Sequence, residues 1–158
     1  MADTDYNLLA AQFRALAAGE NDPLANSANF VGLMHDNMDR VNWLGLYVLR
    51  GEELVLGPFQ GKPACVRIPV GQGVCGTAAA TLETQRVADV HEFDGHIACD
   101  PASRSEIVVP LSVNGSLVGV LDIDSPEADR FDAADQEGVE MLARELEQCL
   151  DANGGLFI

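Results

Sequence analysis

The spacing of hydrophobic positions changes twice along the chain and divides it into helical ends around a strand-rich middle. Residues 4–18 carry Leu8, Leu9, Phe13 and Leu16 at near-helical intervals, which predicts a first helix ending at Gly19. Asp22-Pro23 starts a second, with Asp as the cap and Pro in the first turn; it runs to about Met38 with Leu24, Val31, Met34 and Met38 on one side. From Val41 the period falls to two. A strand is expected over 41–49, a turn at Arg50-Gly51 and a returning strand over 53–57. Further strands are expected over 65–70, 85–90, 105–113 and 116–124, with Asn114-Gly115 the strongest hairpin signal in the chain. Gly71-Gln72-Gly73 separates the third strand from a short Ala-rich helix over 74–82, and residues 91–104 form a long loop. Asp132 caps a closing helix to about Leu150, whose inward positions are Val139, Leu142, Ala143, Leu146 and Leu150. Hairpin connections make the sheet mainly antiparallel, so the expected class is α+β: six strands flanked by N- and C-terminal helices. No repeat or linker interrupts the 158 residues, and one domain over 1–158 is expected.

Composition narrows the function. A formal charge of −16 with nine Lys and Arg argues against nucleic acid and against an anionic membrane surface. No apolar run approaches the roughly 20 residues of a spanning helix, and Met1-Ala-Asp-Thr-Asp5 has no signal-peptide features, so the expected compartment is the cytoplasm. Four cysteines in such a chain read as catalytic, redox-active or metal-binding before structural. With no CxxC pair, and with His91, His96 and Cys99 lacking ligand spacing, no metal site is expected.

Cys99 lies in the long loop, an unusual place for a thiol kept only for packing. Cys75, in Gly71-Gln-Gly-Val-Cys-Gly76, falls in the first turn of a predicted helix, where the positive helix end favours thiolate; tight packing beside three glycines would also explain it. Cys65 sits on a predicted strand and alone reads as a small buried hydrophobe, and Cys149 reads as structural. Asp122 and Asp124 are two apart on a strand, on the face that carries Val118 and Val120, so carboxylates extend an apolar stripe. Such groups must be paired or protonated. Glu106 stands at the start of the preceding strand, and Trp43 and Tyr47 flank Gly45 on one strand face, suited equally to core packing and to ligand contact.

The segments Gly61-Lys-Pro-Ala-Cys-Val-Arg-Ile-Pro-Val-Gly-Gln-Gly-Val-Cys-Gly-Thr-Ala-Ala79, Asp89-Val-His-Glu-Phe-Asp-Gly-His-Ile-Ala-Cys-Asp100, Ser105-Glu-Ile-Val108 and Gly119-Val-Leu-Asp-Ile-Asp-Ser125 resemble the free methionine-(R)-sulfoxide reductases, stand-alone enzymes of the GAF fold. The resemblance runs from about Leu8 to Leu150. It implies that Cys99 attacks the sulfoxide, Cys65 resolves it and Cys75 is a third redox cysteine. It also implies that Glu106, Asp122 and Asp124 bind substrate and that Trp43 and Tyr47 wall the substrate methyl. The implied reaction converts free methionine sulfoxide to methionine through a cysteine sulfenic acid and an intramolecular disulfide, which a thioredoxin-like dithiol reduces, with no cofactor. This fold class admits a homodimer through its terminal helices. A non-catalytic GAF-type sensor of a small ligand or of redox state is the alternative, disfavoured because 158 residues are expected to leave no output domain.

The implied site sets a condition on strand register. A two-residue Asn114-Gly115 turn pairs Val113 with Ser116 and hence Glu106 with Ile123, turning Glu106 away from Asp122 and Asp124. All three can meet only if the ladder contains a bulge, expected near Pro110, or if Glu106 lies beyond the regular strand.

Overall fold

The computed structural model describes residues 3–97, 99 and 101–150; Ala98 and Asp100 of the expected loop, and both chain ends, lie outside the described residues. Two helices, α1 (Tyr6–Ala17) and α2 (Pro23–Asn37), lead into strands β1 (Trp43–Arg50), β2 (Glu53–Gln60) and β3 (Arg67–Pro69). Helix α3 (Gly73–Thr81), strand β4 (Gln85–Val87) and a 3-10 turn over Val90–Glu92 follow. Strands β5 (Ser105–Val113) and β6 (Ser116–Ser125) precede the closing helix α4 (Ala133–Glu147). The strands form one antiparallel sheet in the order β3-β2-β1-β6-β5-β4, the α+β architecture expected.

Side-chain caps fix the helix starts. Asp5 accepts from the Leu8 amide, Asp22 from those of Leu24 and Ala25, and Asp132 and Asp135 form a reciprocal capping box. Helices α1, α2 and α4 cover one face of the sheet, burying Phe13, Phe30, Met34, Leu142 and Leu146 against Leu44, Leu46, Val109, Leu121 and Ile123. Leu9, Phe13, Val31, Met34 and Met38 are buried as expected, joined by Ala10 and Phe30, whereas Leu8, Leu16 and Leu24 are exposed. The other face carries Trp43, Tyr47, Val108 and Val120 under Val74, Cys75, Ala78 and Ala79 of α3.

Two strands are shorter than expected, each because a side chain takes over a backbone group. Cys65 lies ahead of β3, not on it, and its carbonyl accepts from the Tyr47 hydroxyl at 2.8 Å. After β4, Asp89 accepts from the His91 amide at 3.0 Å and turns the chain into the 3-10 segment.

The β5–β6 ladder contains the bulge that the site requires. Val113 pairs with Ser116 across the turn, but the register shifts between Ser112↔Leu117 and Leu111↔Gly119, leaving Val118 unopposed. The bulge falls just past Pro110. It frees the Ser112 amide, which donates to Glu147 of α4 at 2.6 Å. Beyond it Glu106 pairs with Asp124 and Val108 with Asp122, so the three acids share a face. Val118 departs from expectation: the bulge turns it into the core under α1, α2 and α4, away from Val120.

Candidate active site

The site is built on the sheet face beneath α3, where alternation on β1 and β6 sets side chains in rows. Trp43 pairs with Asp124, Gly45 with Asp122 and Tyr47 with Val120. Gly45 is required between the aromatics. A Cβ there would lie 2.6 Å from Trp43 Cη2 and 2.5 Å from Phe59 Cβ. Without it, Trp43 stacks on Phe59 at 5.4 Å and on Tyr47 at 5.9 Å between ring centroids. The same aromatics hold the chain leading to Cys65: Trp43 Nε1–H donates to the Lys62 carbonyl at 3.0 Å, as the Tyr47 hydroxyl does to that of Cys65.

These rows floor a cavity of about 50 Å³ lined by Trp43, Tyr47, Cys75, Cys99, Glu106, Asp122 and Asp124. Every candidate residue singled out in the sequence reaches it or, for Cys65, bonds to a residue that does. Cys65 and Cys99 are joined by a disulfide with Cα atoms 5.5 Å apart, and Cys75 is a buried free thiol. Cys149 lies in the opposite layer, against the helical core.

Burial dominates the electrostatics. It raises the pKa of Glu106 well above the ordinary carboxylate value, and the charge of Asp122 adds to the effect. Asp122 is raised likewise by burial and then by Asp124. Asp122 is 5% exposed, and its Oδ1 has no hydrogen-bond partner among the described residues. The Cys75 thiol is pushed up by burial and by Asp122, Glu106 and Asp124, in that order, so it is held as a neutral thiol. This corrects the expectation that the start of α3 favours its thiolate, because a helix end supplies only about half a charge. Tyr47 is raised mainly by burial and stays a donor.

The structure brings further residues to the site. His96, Ile97 and Ser103 line the cavity from the Cys99 loop, and burial lowers the pKa of His96. Ser103 is buried and accepts from Asn42 Nδ2 at 3.2 Å, tying the loop to the start of β1. Asp89 closes the loop's neck, accepting from the His91 amide and from Arg104 at 3.2 Å. For Ile97 and Ser103 the one sequence signal was membership in the loop that carries Cys99; His96 stood out only as a metal ligand that its spacing disfavours, and Asp89 precedes the expected loop.

An antiparallel sheet with helices on one side and a small-molecule pocket under a short helix on the other is the arrangement of a GAF domain, and residues 23–150 match that family. Within it the chain belongs to the free methionine-R-sulfoxide reductases. It is 54% identical to the free methionine-R-sulfoxide reductase of Escherichia coli over 145 residues, covering 92% of this chain and 88% of that one. Among solved structures, fRMsr of Staphylococcus aureus in complex with substrate is 50% identical with a TM-score of 0.90, covering 96% of this chain and 99% of that one. The free methionine-R-sulfoxide reductase of Neisseria meningitidis in complex with its substrate is 40% identical with a TM-score of 0.89, covering 98% and 94%.

Proposed function

We propose that the chain reduces free L-methionine (R)-sulfoxide to methionine with Cys99 as the attacking thiol. The observation that carries this reading is a disulfide to Cys65 from Cys99, which lines a cavity that also holds the buried acids Glu106 and Asp122. The Cys99 thiolate attacks the sulfoxide sulfur while the Glu106–Asp122 pair protonates the departing oxygen. The protonated oxygen then passes from the methionine sulfur to the Cys99 sulfur as the bond between the two sulfurs breaks, so methionine leaves and Cys99 is left as a sulfenic acid. The Cys65 thiol condenses with it, releasing water and forming the disulfide, and a thioredoxin-like dithiol returns both cysteines to thiols. Cys75 is assigned as the third redox cysteine, reduced while the other two are bonded. The step needs no cofactor.

Asp124 and the ionised member of the buried pair hold the substrate ammonium, and Trp43 and Tyr47 enclose its methyl. The catalytic unit is taken as residues 1–158. Dependence on a dithiol assigns it to the cytoplasm, where thiols are kept reduced. Among the described residues no helix is long and apolar enough to cross a membrane. The exposed Leu8 and Leu16 of α1 are the surface assigned to a homodimer.

The test compares free methionine sulfoxide with its N-acetyl derivative. One ammonium–carboxylate pair at roughly 4 Å contributes about 4 kcal/mol before desolvation at an effective dielectric near 20. The acetylated substrate is therefore expected to lose at least about tenfold in kcat/KM, equivalent to a surviving 1.4 kcal/mol. Comparable values for the two would overturn the assignment of the acids.

A further inference from the structure

Cys75 has no partner cysteine, and its surroundings have the composition of a metal-ligand set. Its sulfur and one carboxylate oxygen from each of Glu106 and Asp122 lie within 4.8 Å of one another, all three residues being buried. The three come from α3, β5 and β6, so their mutual placement is fixed by packing and by the Val108↔Asp122 rung. Independently of the cluster, Asp122 Oδ1 is a buried acceptor to which no described residue donates. A buried carboxyl oxygen left without a donor is costly unless something binds it.

We propose that Cys75, Glu106 and Asp122 form a site for a thiophilic divalent cation of the zinc or cadmium type, and that this cation competes with the substrate. One sulfur and two oxygens suit these borderline-soft ions, whereas calcium and magnesium take oxygen sets. Bonds of about 2.3 Å to sulfur and about 2.0 Å to oxygen set ligand atoms roughly 3.5 Å apart in a tetrahedral site. The triad therefore closes by little more than an ångström, within reach of side-chain rotation. The Cys75 thiol and any protonated carboxyl release their protons to solvent as the ion enters, and the cavity supplies a fourth ligand from water. On the functional reading above, the ion takes the oxygens that serve substrate, so it inhibits and is no cofactor.

The disulfide form isolates the site, because Cys65 and Cys99 cannot contribute thiolate there. Cadmium added to oxidised protein is expected to give a saturable ultraviolet sulfur-to-cadmium charge-transfer band at one ion per chain. The band should vanish in Cys75→Ala and Cys75→Ser and persist in Cys149→Ser. Asp122→Asn should weaken uptake by at least about tenfold, the lower end of what even outer-sphere changes cost a metal site. Absence of the band in oxidised protein, or its survival in the Cys75 variants, overturns the site. With reduced enzyme, zinc inhibition should be relieved by raising methionine sulfoxide. Inhibition that substrate does not relieve overturns the competition. The cadmium result stands apart from turnover, so its failure is distinguishable from failure of the acetylation test.

Discussion

Because burial raises the pKa of both Asp122 and Glu106, the folded chain holds protons on them over a range where the unfolded chain has released them. The sign follows from proton counting. When the native state binds more protons than the unfolded state, stability falls as pH rises. These two acids thus cost least below the ordinary carboxylate pKa, near 4, and progressively more as pH rises toward their folded values. The unpartnered Asp122 Oδ1 adds to that cost. Asp122→Asn removes one titration and supplies a donor to its neighbours, and is expected to stabilise the fold by about 1–3 kcal/mol at pH 8, with a smaller gain at pH 5. Turnover should fall at least about tenfold, as for loss of a positioned acid. Thermal unfolding at both pH values checks the first statement and methionine release the second. A variant no more stable than the parent at pH 8 would mean that Asp122 is satisfied in a way the geometry does not contain.

At the scale of elements, β1 couples the aromatic wall to the cysteine chemistry. Gly45→Ala places a methyl against Phe59 and Trp43, and Trp43 in turn holds the Lys62 carbonyl on the path to Cys65. The expected cost is about 1–3 kcal/mol of overpacking. The expected kinetic signature is slow disulfide formation, with methionine released in a single turnover less affected. Equal slowing of both steps would show that Trp43 does not position Cys65. The same strands mark how much was legible beforehand. Period-two alternation set Asp122 with Asp124, and Trp43 with Tyr47, on one face, and the Asn114-Gly115 turn fixed the start of the hairpin. Alternation fails at a bulge, so the side taken by Val118 was beyond a rule that assumes an unbroken pleat. The register needed by Glu106 could be stated only as a condition. At the bulge the Ser112 amide donates to Glu147 of a distant helix, a partner that no local pattern contains. Cys65 falls outside the strand expected to carry it for a similar reason: the group that captures its carbonyl is on β1, 18 residues away. Leu24 looked like a core residue because apolar content was read without knowing which way α2 faces.

Over the whole molecule, the disulfide is a strap between the two edges of the sheet. β3 and β4 are the edge strands; Cys65 precedes one, and Cys99 lies in the loop that follows the other. Between them the chain runs through β3, α3 and β4, so the bond closes a loop spanning 34 positions across the active-site face. In the chain-entropy treatment, a loop of that size stabilises the folded state by about 3–4 kcal/mol relative to the dithiol. For a chain of this length about 2–4 °C accompanies each kcal/mol, so oxidised protein should melt roughly 6–16 °C above reduced protein. The formal charge of −16 supplies a control. Repulsion among surface acids lowers the stability of both redox forms and is screened by salt, with a Debye length of about 10 Å at 0.1 M. Added salt should therefore raise both melting temperatures while leaving the gap between them nearly constant. Cys65→Ser should abolish the gap under every condition, and Cys149→Ser should preserve it. Melting curves of oxidised and reduced protein that coincide at all salt concentrations would show that the strap adds no stability and that closure of the site is set by packing alone.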